Sequence, residues 1–401
     1  MKTVGLITEY NPFHKGHEYH IQKAKEITGA DYVIAVMSGD YVQRGTPACV
    51  QKHTRAHMAL VSGVNLVLEL PIIYTTGSAE IFAEGAVSIL DKLGVVDSIC
   101  FGSECGTAVP LMEIAKILVD EPEWYRAALQ EQLRNGLSYP AARAAALPEY
   151  AEILSSPNNI LGIEYCKALL RLDSKIKPVS IARKGSLYHE SELGTELPSA
   201  TAIRTQLYNL YNNEDSPNLS NYIPANAWDI LSKEIDLSSI MHEDDFSQIL
   251  LYRLLSAKSP EELAEYEDVS DELASRIFKC RMQFISFSQF ADLLKTKEVT
   301  RTRINRALLH IILDVKKGTK KASYARILGF RKDAGELLSA IKVNSQIPFF
   351  SKTATADGLL DAEQQELFDL TTDASLLYEG VLSQKVNRSL VHEHSKSIII
   401  V

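Results

Sequence analysis

Thr3-Val-Gly-Leu-Ile-Thr-Glu-Tyr10, running on into Asn11-Pro-Phe-His-Lys-Gly-His17, is the stretch that decides the fold. An apolar run of strand character breaks at Asn-Pro. A His-x-Gly-His step follows, and then an amphipathic stretch from His17 to Ile27 that predicts a helix. A strand that turns straight into a helix presents unpaired backbone N–H groups and the positive end of the helix dipole, and both attract phosphate. Gly16 lets a bulky phosphate approach the backbone. His14 and His17 offer donors where charge builds up at phosphorus. No Gly-x4-Gly-Lys-Ser/Thr loop occurs, so a phosphate chain would be held without a Walker lysine. Two histidines three apart also suit metal ligation on one helix face, or a plain turn. Their place between a strand and a helix favours phosphate, and no protein-held metal is predicted.

The rest of the composition narrows the class. At 401 residues the chain has room for two or three domains. Apolar content of 46% and charged content of 23% are those of a soluble globular protein. Five cysteines without a Cys-x-x-Cys argue against a disulfide scaffold or a zinc finger, and Cys100 and Cys105 alone do not make a metal site. The N-terminus has no signal-peptide pattern, and no apolar run approaches the ~20 residues of a membrane span. A cytoplasmic protein without membrane partners is expected. The net charge of −9 hides an asymmetry: Lys295–Lys332 holds twelve Lys or Arg against two acids, Glu298 and Asp314. Such a block on an acidic chain suggests a polyanion docked in one place, or else a solvated basic face.

Along the first 205 residues, strand and helix patterns alternate. Tyr32–Met37, Leu66–Leu70, Val95–Phe101 and Lys177–Ala182 read as buried strands. Lys52–Ser62, Ala79–Leu93, Leu111–Val119 and Asn159–Leu170 read as helices. The alternation predicts a parallel sheet with flanking helices, and ligands bind beyond the carboxyl ends of such strands. Three loops meet there: Asn11–His17, Gly102-Ser-Glu104 and Arg183-Lys-Gly185. After Ser199-Ala-Thr-Ala-Ile-Arg204 the texture changes. Asn209–Pro224 reads as a linker, and the pattern from Ala225 to Ala340 is helical. From Lys342 the chain mixes Pro348, a short helix near Ala362–Asp369 and a strand-like end, Ser397–Val401.

With these pieces assembled the chain resembles the nucleotidylyltransferase-like superfamily, marked by His-x-Gly-His and a later Ser/Thr/Arg helix start. That start is Pro198-Ser-Ala-Thr-Ala-Ile-Arg204, in which Ala200 replaces one hydroxyl. Glu9-Tyr-Asn-Pro-Phe-His14, Met37-Ser-Gly-Asp-Tyr-Val-Gln-Arg-Gly45, Glu69-Leu-Pro71, Phe101-Gly-Ser-Glu104, Ser138-Tyr-Pro-Ala141, Pro157-Asn-Asn-Ile-Leu-Gly162 and Ser199-Ala-Thr201 resemble, in order, the bacterial tRNA(Met) cytidine acetate ligases. The resemblance implies an α/β fold. A Rossmann-like nucleotidylyltransferase domain with a parallel sheet spans 1–208, a mainly α-helical tRNA-binding domain spans 225–341, and a small α+β tail spans 342–401. It implies activation of acetate by ATP as acetyl-adenylate. The acetyl group then passes to N4 of the wobble cytidine, position 34, of elongator tRNA(Met).

Carried over by position, His14 and His17 would be catalytic. ATP would meet Ile7, Thr8, Glu9, Tyr10, Asn11, Pro12, Phe13, His14, Lys15, Gly16, His17, Glu18, Tyr19 and His20, with Gly102, Asn158 and Arg183. Ser199, Thr201 and Arg204 would hold the far end of the triphosphate. ATP enters as a substrate, with Mg²⁺ expected on the triphosphate. Arg44, Arg301, Arg303, Arg306, Lys316, Lys317, Lys320 and Lys321 would grip tRNA phosphates. Each residue also has a plainer reading: Gly102 as a turn glycine, Asn158 as a helix cap, Arg183 as a surface charge. A small-molecule nucleotidylyltransferase shares both phosphate elements but needs no long helical half. An aminoacyl-tRNA synthetase would show a Lys-Met-Ser-Lys-Ser loop, which is missing. A silent tRNA-binding protein would not need His14, His17 and Arg204.

Overall fold

The computed structural model describes residues 1–183, 199–211, 218–236, 238–296 and 299–401. Lys184-Gly185, Pro198, Lys297-Glu298 and part of the Asn209–Pro224 linker lie outside them. Ten strands are described: β1 (Thr3–Thr8), β2 (Tyr32–Ser38), β3 (Tyr41–Val42), β4 (Thr46–Pro47), β5 (Leu66–Leu70), β6 (Ser98–Ser103), β7 (Lys177–Ala182), β8 (Ala325–Phe330), β9 (Phe349–Phe350) and β10 (Ile399–Ile400). The main sheet runs β10-β8-β5-β2-β1-β6-β7, with β9 also on β8. β1, β2, β5, β6 and β7 are mutually parallel, as expected from the alternation. β3 and β4 form a separate hairpin.

Side-chain alternation along the buried strands separates two cores. Val33, Ala35 and Met37 of β2 face one, while Ile34 and Val36 face the other. In β6, Cys100 joins the first core and Ile99 and Phe101 the second. The helices Lys15–Thr28, Lys52–Val61, Ala200–Tyr211 and Ala225–Asp236 cover the first face through Ile21, Ala56, Ile203 and Leu231. The helices Ala79–Lys92, Val109–Asp120 and Pro157–Arg171 cover the second through Phe82, Ile114 and Ile163. No helix among the described residues is long and apolar enough to cross a membrane.

The C-terminal part departs from the expected layout. Ala325–Phe330 lies in the stretch expected to be helical, yet it is a strand paired antiparallel to β5. The tail expected as a separate subdomain returns β9 and β10 to β8, within the same sheet. The helix expected near Ala362–Asp369 runs Ala362–Lys385. The cause is visible at Arg326 and Gly329, which interrupt the apolar run of β8 in sequence. Arg326 is 3% exposed; its Nη1 donates to Glu69 at 2.8 Å and its Nη2 to Glu393 at 2.6 Å. A Cβ on Gly329 would sit 2.7 Å from the Ile399 carbonyl and from Leu60, so only glycine admits β10 here.

A buried charge network joins the two ends of the chain. Lys52 Nζ lies 2.6 Å from Glu69, 3.0 Å from Glu393 and 3.6 Å from Asp40, and donates to Ser375 at 2.7 Å. Burial pushes the Glu393 carboxyl up, but Lys52, His53 and Arg326 outweigh it and hold it well below the usual carboxylate range. Lys52 and Arg326, with Lys396 3.7 Å from Glu393, face two glutamates and an aspartate, and this pairing makes such burial tolerable.

Candidate active site at the strand ends

A cavity of about 310 Å³ opens at the carboxyl ends of β1, β6 and β7. It is the crevice position expected for a parallel α/β sheet. The Asn11–His17 turn forms one wall, the start of helix Ala200–Tyr211 another, and Gly102, Asn158 and Arg183 a third. One residue each of the second and third loops expected from sequence, Gly102 and Arg183, thus meets the Asn11–His17 turn around one space, and Lys184-Gly185 lie outside the described residues.

The histidines are locked by the helix they begin. His14 is the cap of helix Lys15–Thr28, and its Nδ1 accepts the Gly16 N–H at 3.0 Å. His17 Nδ1 in turn accepts the His14 N–H at 3.3 Å, a reciprocal capping box built from imidazoles. An Nδ1 that accepts cannot hold the proton, so a neutral ring holds it on Nε2. Burial, with the charges of Arg183 and Arg204, pushes His14 down to about 3. Burial and the neighbouring His14, His20 and Arg183 push His17 well below its usual value. Burial and Arg183 take His20, one turn further on, to about 4. All three are neutral at pH 7. The His14 and His17 rings lie 3.8 Å apart between centroids, and Tyr10 and Phe13 pack on His17 at 4.9 and 5.6 Å.

Arg204 spans two of the walls. Its Nη1 donates to the Asn11 carbonyl at 2.7 Å and its Nη2 to Thr201 Oγ1 at 3.1 Å. Ser199 Oγ accepts the Ala202 N–H at 3.1 Å and caps the same helix. Asn11, just before the cis bond to Pro12, accepts the Cys49 N–H on its Oδ1 at 2.8 Å. Arg55, fully buried, ties the wall from behind by donating to the carbonyls of Glu9, Ser38, Gly39 and Val50. On the third wall, Asn158 donates to Glu104 at 2.7 Å and accepts from Arg183 at 3.3 Å. Glu104 also receives the Asn159 N–H at 2.8 Å, so this acid caps helix Pro157–Arg171. A Cβ on Gly102 would lie 3.2 Å from the Arg183 stem. Of the nucleotide candidates, Pro12, Phe13, Lys15 and Glu18 do not line the cavity. Phe13 is buried behind it and Lys15 is exposed.

The basic block is less available than its sequence suggests. Arg326 is buried in the Glu69 network. Arg306 is 9% exposed and pairs with Asp268 at 2.7 Å. Arg301 pairs with Asp292 and Asn305. Lys316, Lys320 and Lys321 meet Glu265, Glu363 and Glu84 at 3.2, 3.6 and 2.9 Å but are exposed, as are Arg303 and Lys317. Arg44 lines the cavity, and a Cβ on its neighbour Gly45 (φ +74°) would come within 2.3 Å of the Arg306 backbone nitrogen. The cavity also has a wall missing from the sequence expectations: Phe82, Phe101, Leu161 and Tyr165. These sit at ordinary core positions of their helices and strand, and only Phe101, next to Gly102, had a neighbour that pointed to the site.

A strand-end cavity faced by capping histidines and by a Ser/Thr/Arg helix start is the architecture of a HIGH-type nucleotidyl transferase, and the HIGH Nucleotidyl Transferase family model matches residues 1–393. The tRNA(Met) cytidine acetate ligase of Clostridium novyi (strain NT) is 41% identical over 88% of this chain and 90% of its own length. That of Acetivibrio thermocellus is 39% identical over 100% of both. The crystal structure of Thermotoga maritima TmcAL bound with alpha-thio ATP matches with a TM-score of 0.90 at 32% identity, covering 100% of this chain and 99% of that one. The chain belongs to the tRNA(Met) cytidine acetate ligases.

Proposed function

We propose that this enzyme uses ATP to activate acetate and acetylates N4 of the wobble cytidine, position 34, of elongator tRNA(Met). The observation that carries the reading is the pair of Nδ1-locked histidines and Arg204 lining the same strand-end cavity. An acetate oxygen attacks the α-phosphorus of ATP. The new O–P bond forms as the P–O bond to pyrophosphate breaks. The Nε2–H groups of His14 and His17 donate to oxygens that gain charge, while Arg204 and Thr201 hold the triphosphate. No base is needed, because acetate is ionised at pH 7 (reference carboxylate pKa about 4). In the second step cytidine N4 attacks the acetyl carbon, the C–O bond to AMP breaks, AMP leaves with the electron pair, and N4 gives a proton to water.

Asn158, Arg183 and the backbone at Gly102 would take the adenosine. Mg²⁺ would arrive on the triphosphate as part of the substrate. Among the described residues no group of three His, Cys, Asp or Glu is arranged for a metal, and Glu9, the acid on the cavity wall, holds the Gln43 N–H at 2.9 Å. Phosphate oxygens and water would supply the ligands.

For tRNA, the exposed members of the basic block replace the buried ones as candidates. Arg303→Glu with Lys317→Glu should weaken tRNA binding and flatten its dependence on salt by about one to two units of log–log slope, leaving acetate activation intact. Filter binding across a salt series reads this, and equal loss of both activities contradicts it. Acetate-dependent exchange of labelled pyrophosphate into ATP tests the first half-reaction.

A further inference from the structure

The carboxyl edge of the sheet divides the cavity in two. One side is built by the helices Lys15–Thr28 and Ala200–Tyr211, which pack into the core of Ile21 and Ile203. His14, His17, Thr201 and Arg204, the groups suited to phosphate, lie there. The other side is built by the helices Ala79–Lys92 and Pro157–Arg171 with β6, which pack into the opposite core. It contributes Phe82, Leu161, Tyr165 and Phe101. Phe101 and Gly102 are neighbours in β6, so their side-chain directions fall on opposite faces.

This second side has its own chemistry. Its helices bring Phe82, Leu161 and Tyr165 and no cation to the cavity; Asn158, at the start of the second helix, is tied to Glu104 and Arg183 at the rim of this wall. The charged group beside it at the end of β1 is Glu9, whose carboxylate disfavours another anion nearby. A carboxylate lodged between the two halves is thus turned toward the phosphate side, with its carbon chain toward the rings. Phe101 has little freedom to yield: it lies on the helix backbone at Gly162, where a Cβ would come within 2.7 Å of it, and its ring packs on Tyr165 at 5.4 Å. A nucleobase would need matched donors and acceptors, and of these four side chains only Tyr165 has a polar atom.

We infer that Phe82, Phe101, Leu161 and Tyr165 form the subsite for the methyl group of the acid and set which acids are activated; this rests on the acetate-activation reading above. A stiff apolar wall discriminates one methylene by about 10- to 200-fold. Leu161, partly exposed, is the residue whose size is easiest to change.

The test is acid-dependent pyrophosphate–ATP exchange with acetate, propionate and butyrate, for the wild type, Leu161→Ala, Leu161→Met and Phe82→Leu, each checked for thermal stability. In Leu161→Ala the propionate-to-acetate ratio of kcat/KM should rise tenfold or more, with KM for ATP little changed. Leu161→Met should leave the ratio near that of the wild type. Unchanged acid ratios in stable variants overturn the subsite. So does a pattern in which only transfer to tRNA suffers, which would give the wall to the cytosine. A wild type with no acid-dependent exchange sinks the acetate-activation reading itself.

Discussion

His17→Ala should slow acetyl-adenylate formation by about 10²- to 10³-fold while ATP affinity changes little. His17 Nδ1 is spent on the His14 N–H, and its neutral ring leaves an Nε2–H as the group free to donate. A neutral donor gains little from the ground-state phosphate, but more as charge builds on the α-phosphate oxygens in the transition state. Its loss should therefore appear in kcat and in kcat/KM alike. Alanine also removes half of the capping box, worth about 1 kcal/mol of helix stability. His17→Asn separates the two effects, because its amide oxygen can still accept the His14 N–H while the remote donor is gone. Both variants should be comparably slow, and Asn should melt closer to the wild type. Single-turnover adenylate formation with direct ATP binding reads the pattern. A large rise in the ATP dissociation constant with kcat preserved would make His17 a ground-state binder.

Lys52→Met should cost about 3–5 kcal/mol, because it leaves Glu69, Glu393 and Asp40 facing one another, with Arg326 on the two glutamates and Lys396 3.7 Å from Glu393 but no cation bridging all three. Against a total stability of about 5–15 kcal/mol this is a large share. The network fastens Glu393 near the C-terminus to the sheet, so the variant should loosen the tail first. Rapid hydrogen exchange at β10 and the 3-10 turn Glu393–Ser395 would show it, as would a lower Tm. The acid limb has a definite sign. Burial raises Glu379, but Arg388 and Lys396 hold it down to about 2, and Lys52, His53 and Arg326 likewise hold Glu393 well below the usual carboxylate range. Carboxyls depressed in the folded state add stability that is full above the unfolded carboxylate pKa, about 4.3. That stability drains as pH falls through the window below it. The wild type should therefore lose Tm steeply below about pH 4.3, and Lys52→Met less steeply. A Lys52→Met protein as stable as the wild type at pH 7 would contradict the account.

The parallel half of the sheet was legible because Tyr32–Met37 is an unbroken apolar run, β1 and β5 are mostly apolar and buried, and β1 leads through one turn into a clean helical period. The histidine pair was legible because its chemistry depends on local order: strand, turn, cap, helix. β8 was not, since its Arg326 is satisfied only by Glu69 and Glu393, far away in sequence, and Gly329 only makes sense against Ile399. The basic block misled for the same reason. A count of lysines and arginines cannot show that Arg306 belongs to Asp268 or Arg326 to the core. The apolar wall of the cavity was hidden because Phe82, Leu161 and Tyr165 obey the same periodicity as any core residue. What sets them apart is where three elements end together.

The central claim is that the histidine-lined cavity joins acetate to the α-phosphate of ATP. The most direct measurement is exchange of labelled pyrophosphate into ATP by the purified protein without tRNA. Exchange should require acetate, and it should fall by two orders of magnitude or more in His17→Asn, as for a lost transition-state donor. Exchange that proceeds without acid, or only with an amino acid, would contradict it.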